Sequence, residues 1–161
     1  MHSDDIISAL RDFRSSLAGE RGPDAPWAAL QALAERIVGV RLFTIMTVDL
    51  DAGLARRLYT NMPEAYPVSG TKPMSQTPWF EQVVVGKAPF VANTLHEIAQ
   101  HFFDHELIGE LGCGSCLNLP VVVGGKMLGT VNLLDAEHHF TPERVAAAEH
   151  LGVPAMAAFL A

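Results

Sequence analysis

The residues best suited to chemistry sit close together, as Cys113-Gly114-Ser115-Cys116 preceded by His101-x3-His105. A Cys-x-x-Cys pair works in redox chemistry when its first thiol starts a helix, whose dipole lowers the thiol's pKa. Here the pair follows a predicted helix and precedes a predicted strand. That mechanism is therefore missing, and Cys113 reads as a turn residue and Cys116 as a small packing residue in a strand. The same four side chains have zinc-type spacing. On a continuous helix over residues 95–111, however, Ile98, Ala99, Phe102, Phe103 and Leu107 form the buried face. His101 falls opposite with Glu97, Asp104 and Ile108, and His105 lies near the boundary. Solvated histidines are the expectation, and no metal site is assigned. His138-His139 stands isolated before the last helix. There is no Gly-x-Ser-x-Gly elbow, no Walker-type loop and no defensible Ser–His–Asp set, so no catalytic residue is assigned.

Polar residues inside apolar strands point to binding instead. Residues 115–123 and 126–134 form the strongest strand pair, joined by Gly124-Gly125, a turn suited to positive φ. Alternation puts Cys116, Asn118 and Val122 on one side of the first strand, and Leu128, Thr130, Asn132 and Leu134 on one side of the second. Asn118 and Asn132, if buried, need hydrogen-bond partners. Either they bond backbone within the sheet, or with Thr130 they face a ligand cavity. The lid of such a cavity would come from residues 59–80, where Tyr59, Asn61, Tyr66 and Trp79 supply aromatic walls with polar tips. Phe80 reads as a core residue. The candidate ligand-binding set is Tyr59, Asn61, Tyr66, Trp79, Cys116, Asn118, Thr130 and Asn132, with Arg57 and Lys72 the nearest cations for an anionic ligand.

These residues need elements to position them. Apolar three-to-four spacing predicts helices over 4–17 and 27–38, separated by a Gly/Pro-rich linker at 20–26. Strands over 41–49 and 54–61 follow as a hairpin, then an aperiodic proline-bearing loop over 62–76. Thr77-Pro78 starts a short helix over 79–85 and Thr141-Pro142 a final helix bent near Pro154; between them lie a strand over 89–92 and the helix over 95–111. The order predicts an α+β fold with a mostly antiparallel sheet. Residues 1–24 form an N-terminal helix and linker, and residues 25–161 the main domain.

Composition narrows the function classes. A 161-residue chain with 49% hydrophobic residues supports one core without disulfides or metals. A formal charge of −7, with basic residues scattered, argues against nucleic acid. No stretch approaches the roughly 18 apolar residues of a membrane helix. Two cysteines and no signal-peptide pattern make the cytoplasm the expected compartment.

Leu111-Gly112-x-x-Ser115-x-Leu117-x-Leu119-Pro120-Val121 followed by Gly125-Lys126-x-Leu128-Gly129-Thr130-Val131-Asn132-Leu133 resembles the closing hairpin of a GAF domain. Pro78-Trp79…Gly86-x-x-Pro89-Phe90-Val91 and the irregular loop before it fit the same pattern, from Trp27 to the end of the chain. The resemblance is to short stand-alone bacterial GAF proteins. It implies a profilin- or PAS-like antiparallel sheet of about six strands, with terminal helices on one face and short helices and a loop over the other. It also implies a sensory module that binds a small molecule and signals through a protein partner or a homodimer formed by its terminal helices. The enzymatic branch of such proteins, free methionine-R-sulfoxide reductase, needs a nucleophilic cysteine before the Ser-x-x-x-x-Pro strand. Matched at residues 115–120, that place falls near Gly109, and no cysteine precedes Cys113. A reductase using Cys113 or Cys116 is thus one alternative, and a purely structural dimerisation module another. No cofactor is assigned: Cys116 lies in a strand and no histidine points at the pocket, which disfavours bilin and haem.

Overall fold

The N-terminal periodicity becomes two packed helices, α1 (Ser3–Gly19) and α2 (Ala25–Ile37). The computed structural model describes residues 1–68 and 71–161, with the backbone alone at 72 and 73. α1 buries Ala9 and Phe13 against α2, which buries Trp27, Leu30 and Leu33. Arg36 pairs with Asp12 between the two helices, but both are exposed, so the pair adds little stability.

The expected hairpin is β1 (Leu42–Asp49) and β2 (Leu54–Thr60), and a short β3 (Thr71–Pro73) adds to its edge. A proline is tolerated in that edge position, where no central ladder bond is lost. Residues 69 and 70 of the expected loop and the Lys72 side chain lie outside the described residues. Thr77 caps α3 (Pro78–Phe80) by accepting from the Phe80 amide, and one wider turn, Glu81–Val85, extends it. Then come β4 (Phe90–Ala92), α4 (Leu95–Ala99), α5 (His105–Glu110), β5 (Ser115–Val123) and β6 (Lys126–Asp135). Thr141 caps α6 (Pro142–Ala148), and a tight turn at Glu149–Leu151 leads into α7 (Gly152–Leu160). The chain bends just ahead of Pro154, which sits in the first turn of α7, where its missing N–H costs nothing.

Among the described residues six strands form one antiparallel sheet in the order β3-β2-β1-β6-β5-β4, the α+β architecture expected from the sequence. One face, carrying Phe43, Ile45, Leu117, Val131 and Leu133, packs against α1, α2, α6 and α7. The other carries Leu42, Cys116, Met127 and Leu134 and packs against the short helices and Tyr66, Trp79 and Phe80. Among the described residues no helix is long and apolar enough to cross a membrane.

Three local features depart from the sequence reading. The helix expected over 95–111 is two helices, with residues 100–104 turned out of helical geometry between them. Two β-bulges also break the simple alternation. Ile45 pairs with Tyr59 while Met46 pairs with Arg57, so Leu58 is an extra residue; Leu58 and Tyr59 both pack towards the helical layer and Arg57 turns to the other face. In β6, Val121 pairs with Gly129 and Val122 with Met127. Leu128 is the extra residue there and packs with the helical layer, not on the Thr130 side, while Met127 joins the opposite cluster.

Candidate functional site

Between the sheet and the α3–α5 side lies a cavity of about 220 Å³. Its floor is the face of the sheet left free by the helical layer: Thr44, Met46 and Val48 of β1, Ala55 and Arg57 of β2, Cys116 and Asn118 of β5, Thr130, Asn132 and Leu134 of β6. Tyr66, Met74, Ser75, Thr77, Trp79, Phe80 and the 101–104 turn close over it.

A polar chain crosses this floor. The Trp79 indole N–H donates to Asn118 Oδ1 (3.0 Å), Asn118 Nδ2 to Asn132 Oδ1 (2.8 Å), and Asn132 Nδ2 to Thr44 Oγ1 (3.2 Å). Both asparagines are buried, and their partners are one another and neighbouring side chains, not the sheet backbone. The chain thus joins roof to floor and holds the Trp79 ring over the sheet, edge-on to Phe102 at 6.1 Å.

On the far side, Arg57 is 6% exposed. Its Nη1 donates to the Pro67 carbonyl (2.8 Å), and its guanidinium lies 3.9 Å from the centre of the Tyr66 ring. The Tyr66 hydroxyl donates to Asp104 Oδ2. Burial, then the adjacent Asp104 carboxylate, pushes the Tyr66 hydroxyl pKa well above its ordinary value, so it is a fixed donor. The Arg57 Nε–H is buried and meets no acceptor among the described residues.

Of the eight sequence-derived candidates, six line this cavity: Tyr66, Trp79, Cys116, Asn118, Thr130 and Asn132. Tyr59 and Asn61 do not. The bulge at Leu58 turns Tyr59 to the helical layer, where its ring meets Phe43 edge-on and its hydroxyl donates to Gln31 Oε1 (2.6 Å). Asn61 closes the β1–β2 end by accepting from the Phe43 amide and donating to the Arg41 carbonyl. Phe80, read as core, lines the cavity as well.

The thiols and histidines are also placed. Cys113 and Cys116 are free and buried; burial, foremost, pushes them up to about 11 and about 12. Both are therefore neutral thiols near pH 7, and only Cys116 reaches the cavity. Ser115 Oγ donates to the Ala136 carbonyl (2.7 Å), closing the chain after β6. His101 departs from its expected solvent-facing place: it lines the cavity, its ring 4.8 Å from Phe90. His105 bonds the Phe102 carbonyl through Nδ1. Among the described residues no group of three or more side chains is placed to hold a metal.

A family model of the GAF domain matches residues 27–159. The chain belongs to the GAF domain family. Solved structures agree on the fold. The GAF domain of a phosphoenolpyruvate-protein phosphotransferase from Coxiella burnetii aligns over 99% of this chain and 95% of its own, at 17% identity and a TM-score of 0.73. That of a two-component sensor histidine kinase from Bacillus halodurans aligns over 88% and 95%, at 11% identity and 0.70. A phycoerythrobilin-bound GAF domain from a cyanobacterial phytochrome aligns over 96% of each chain, at 15% identity and 0.67. No curated protein matches the sequence. GAF domains are commonly sensory ligand-binding modules.

Among the wall residues of this GAF domain that the sequence reading does not reach are Thr44, His101 and Asp104. The last two were lost because a continuous helix was drawn through the 101–104 turn. An Asp just before a helical segment is a start signal, and Asp104 stands at the first residue before α5; its carboxylate meets Tyr66 and makes no cap bond.

Proposed function

We propose that this GAF domain is a sensory or regulatory module that binds a small-molecule ligand in the cavity and signals through a protein partner or a homodimer of its terminal helices. The observation that carries this reading is the cavity itself, a cleft with aromatic walls over a sheet floor whose polar side chains are already held in place. Apolar walls with a few convergent polar groups are the usual make-up of a small-molecule site. At about 220 Å³ it lies below the roughly 300–1,000 Å³ of drug-sized sites, which favours a small metabolite. Methionine sulfoxide reduction draws less support, since it starts from a thiolate and burial holds both thiols protonated. The free, buried thiols fit a reducing cytoplasm.

A thermal-shift screen of a metabolite library tests the reading. A ligand at a hundredfold excess over its Kd adds about 2.7 kcal/mol, and so roughly 5–10 °C for a domain of this size. A library without a single stabilising compound would overturn it and leave a scaffold role.

A further inference from the structure

We propose that the ligand is a small monoanion, a carboxylate on a compact apolar body, and that Arg57 is its anchor. This rests on the cavity reading above. A guanidinium stays charged at any pH a protein meets and presents only donors. Buried without a counter-charge, it is among the costliest groups a fold can hold. Arg57 is 6% exposed, and among the described residues no carboxylate lies within ion-pair distance of it. Its Nη1 is committed to the Pro67 carbonyl and its face to the Tyr66 ring. Its Nε–H is left buried without an acceptor, on a side chain that lines the cavity. A fold that places a cation this way stabilises whatever anion arrives.

Charge and shape narrow that anion. The Nε edge of a guanidinium is one of the two edges that meet a carboxylate. Asp104 is the carboxylate on the cavity wall, and Tyr66 already donates to it. The Asp104 carboxylate in the same lining repels a doubly charged phosphate more strongly than a single negative charge, which favours a monoanion. Away from Arg57 the surroundings are Trp79, Phe80 and Phe102, which ask for an apolar or aromatic body. The ligand is thus held by its carboxylate at β2 and by its body under the Trp79 roof.

Matched pairs test the assignment on the full chain. Propanoate through octanoate and benzoate are titrated calorimetrically at pH 7, each against its own primary amide, with inorganic phosphate as a further arm. At least one carboxylate is expected to bind roughly tenfold or more tightly than its amide, the usual advantage of a hydrogen bond to a charged group. Arg57→Met abolishes that preference and Arg57→Lys keeps part of it. If Arg57→Met does not fold, the paired comparison in the unaltered protein decides alone. Amides that bind as well as carboxylates, or phosphate that binds better, overturn the anion assignment and leave the small-molecule reading standing. If neither series binds while the metabolite screen yields a neutral ligand, the anion assignment again falls alone. If nothing in either experiment binds, both fall together.

Discussion

Asn118 is the hinge of the polar chain across the sheet, receiving the Trp79 N–H and giving its own amide to Asn132. Asn118→Leu fits the volume but orphans both partners. An unsatisfied buried group costs about 1–3 kcal/mol; Asn132 is the buried partner and Trp79 only half-buried, so a urea unfolding curve is expected to show a loss of about 1–3 kcal/mol, with altered Trp79 emission. The thiols make a different case. Cys113 and Cys116 ordinarily titrate near 9.0 and are pushed up by burial to about 11 and about 12. Below the ordinary value both folded and unfolded chains hold these protons, and stability is unaffected. From about pH 9 towards pH 12 the unfolded chain releases them first, so stability falls as pH rises. Tyr66, raised in the same direction, adds to that fall at its upper end. Cys116→Ala is expected to flatten the decline in unfolding free energy between about pH 9 and 11. Native protein at neutral pH should also resist iodoacetamide until urea opens the fold.

At the scale of elements, the two bulges decide which side chains meet the cavity. A bulge shifts pairing by one residue, and with a side-chain period of two it exchanges the faces of everything beyond it. In β2 this sends Tyr59 to the helices and Arg57 to the cavity. In β6 it brings Gly129 against β1 and α7. A Cβ there would stand 2.0 Å from the Met46 carbonyl oxygen and 2.8 Å from the Phe159 ring. The first of these is backbone and has no room to yield. Gly129→Ala is therefore expected to cost about 3 kcal/mol. Gly124, in the β5–β6 turn, has open space around its missing side chain and only its φ of +58° to satisfy. Gly124→Ala should cost only about 1–2 kcal/mol, and calorimetric melting of the two variants compares them directly.

For the whole molecule, the helical layer leaves apolar side chains facing outward. Val153 and Leu160 of α7 are 74% and 64% exposed, and Ile7 of α1 is 54% exposed. These terminal helices are where the proposed homodimer forms. Light scattering behind size-exclusion chromatography is expected to report a dimer for the unaltered chain and a monomer for a Val153→Glu, Leu160→Glu variant. A monomer throughout the micromolar range would remove the homodimer and leave a protein partner as the route of signalling.

The sequence by itself determined the α+β layout, the Thr77 and Thr141 helix starts, and the place of Asn118, Thr130 and Asn132 on one face of the closing hairpin, while β3 falls within the stretch expected as a loop. Each of these follows from local signals: alternation, a capping hydroxyl beside a proline, a Gly-Gly turn. Only the tertiary structure decided that Arg57 and not Tyr59 faces the cavity, and that His101 and Asp104 turn inward. Neither Leu58 nor Leu128 differs in type from an ordinary strand residue, so a bulge leaves no mark in the sequence. The break at 100–104 carries no glycine or proline. Within it Phe102 meets Trp79 and Asp104 meets Tyr66, partners that lie far away along the chain.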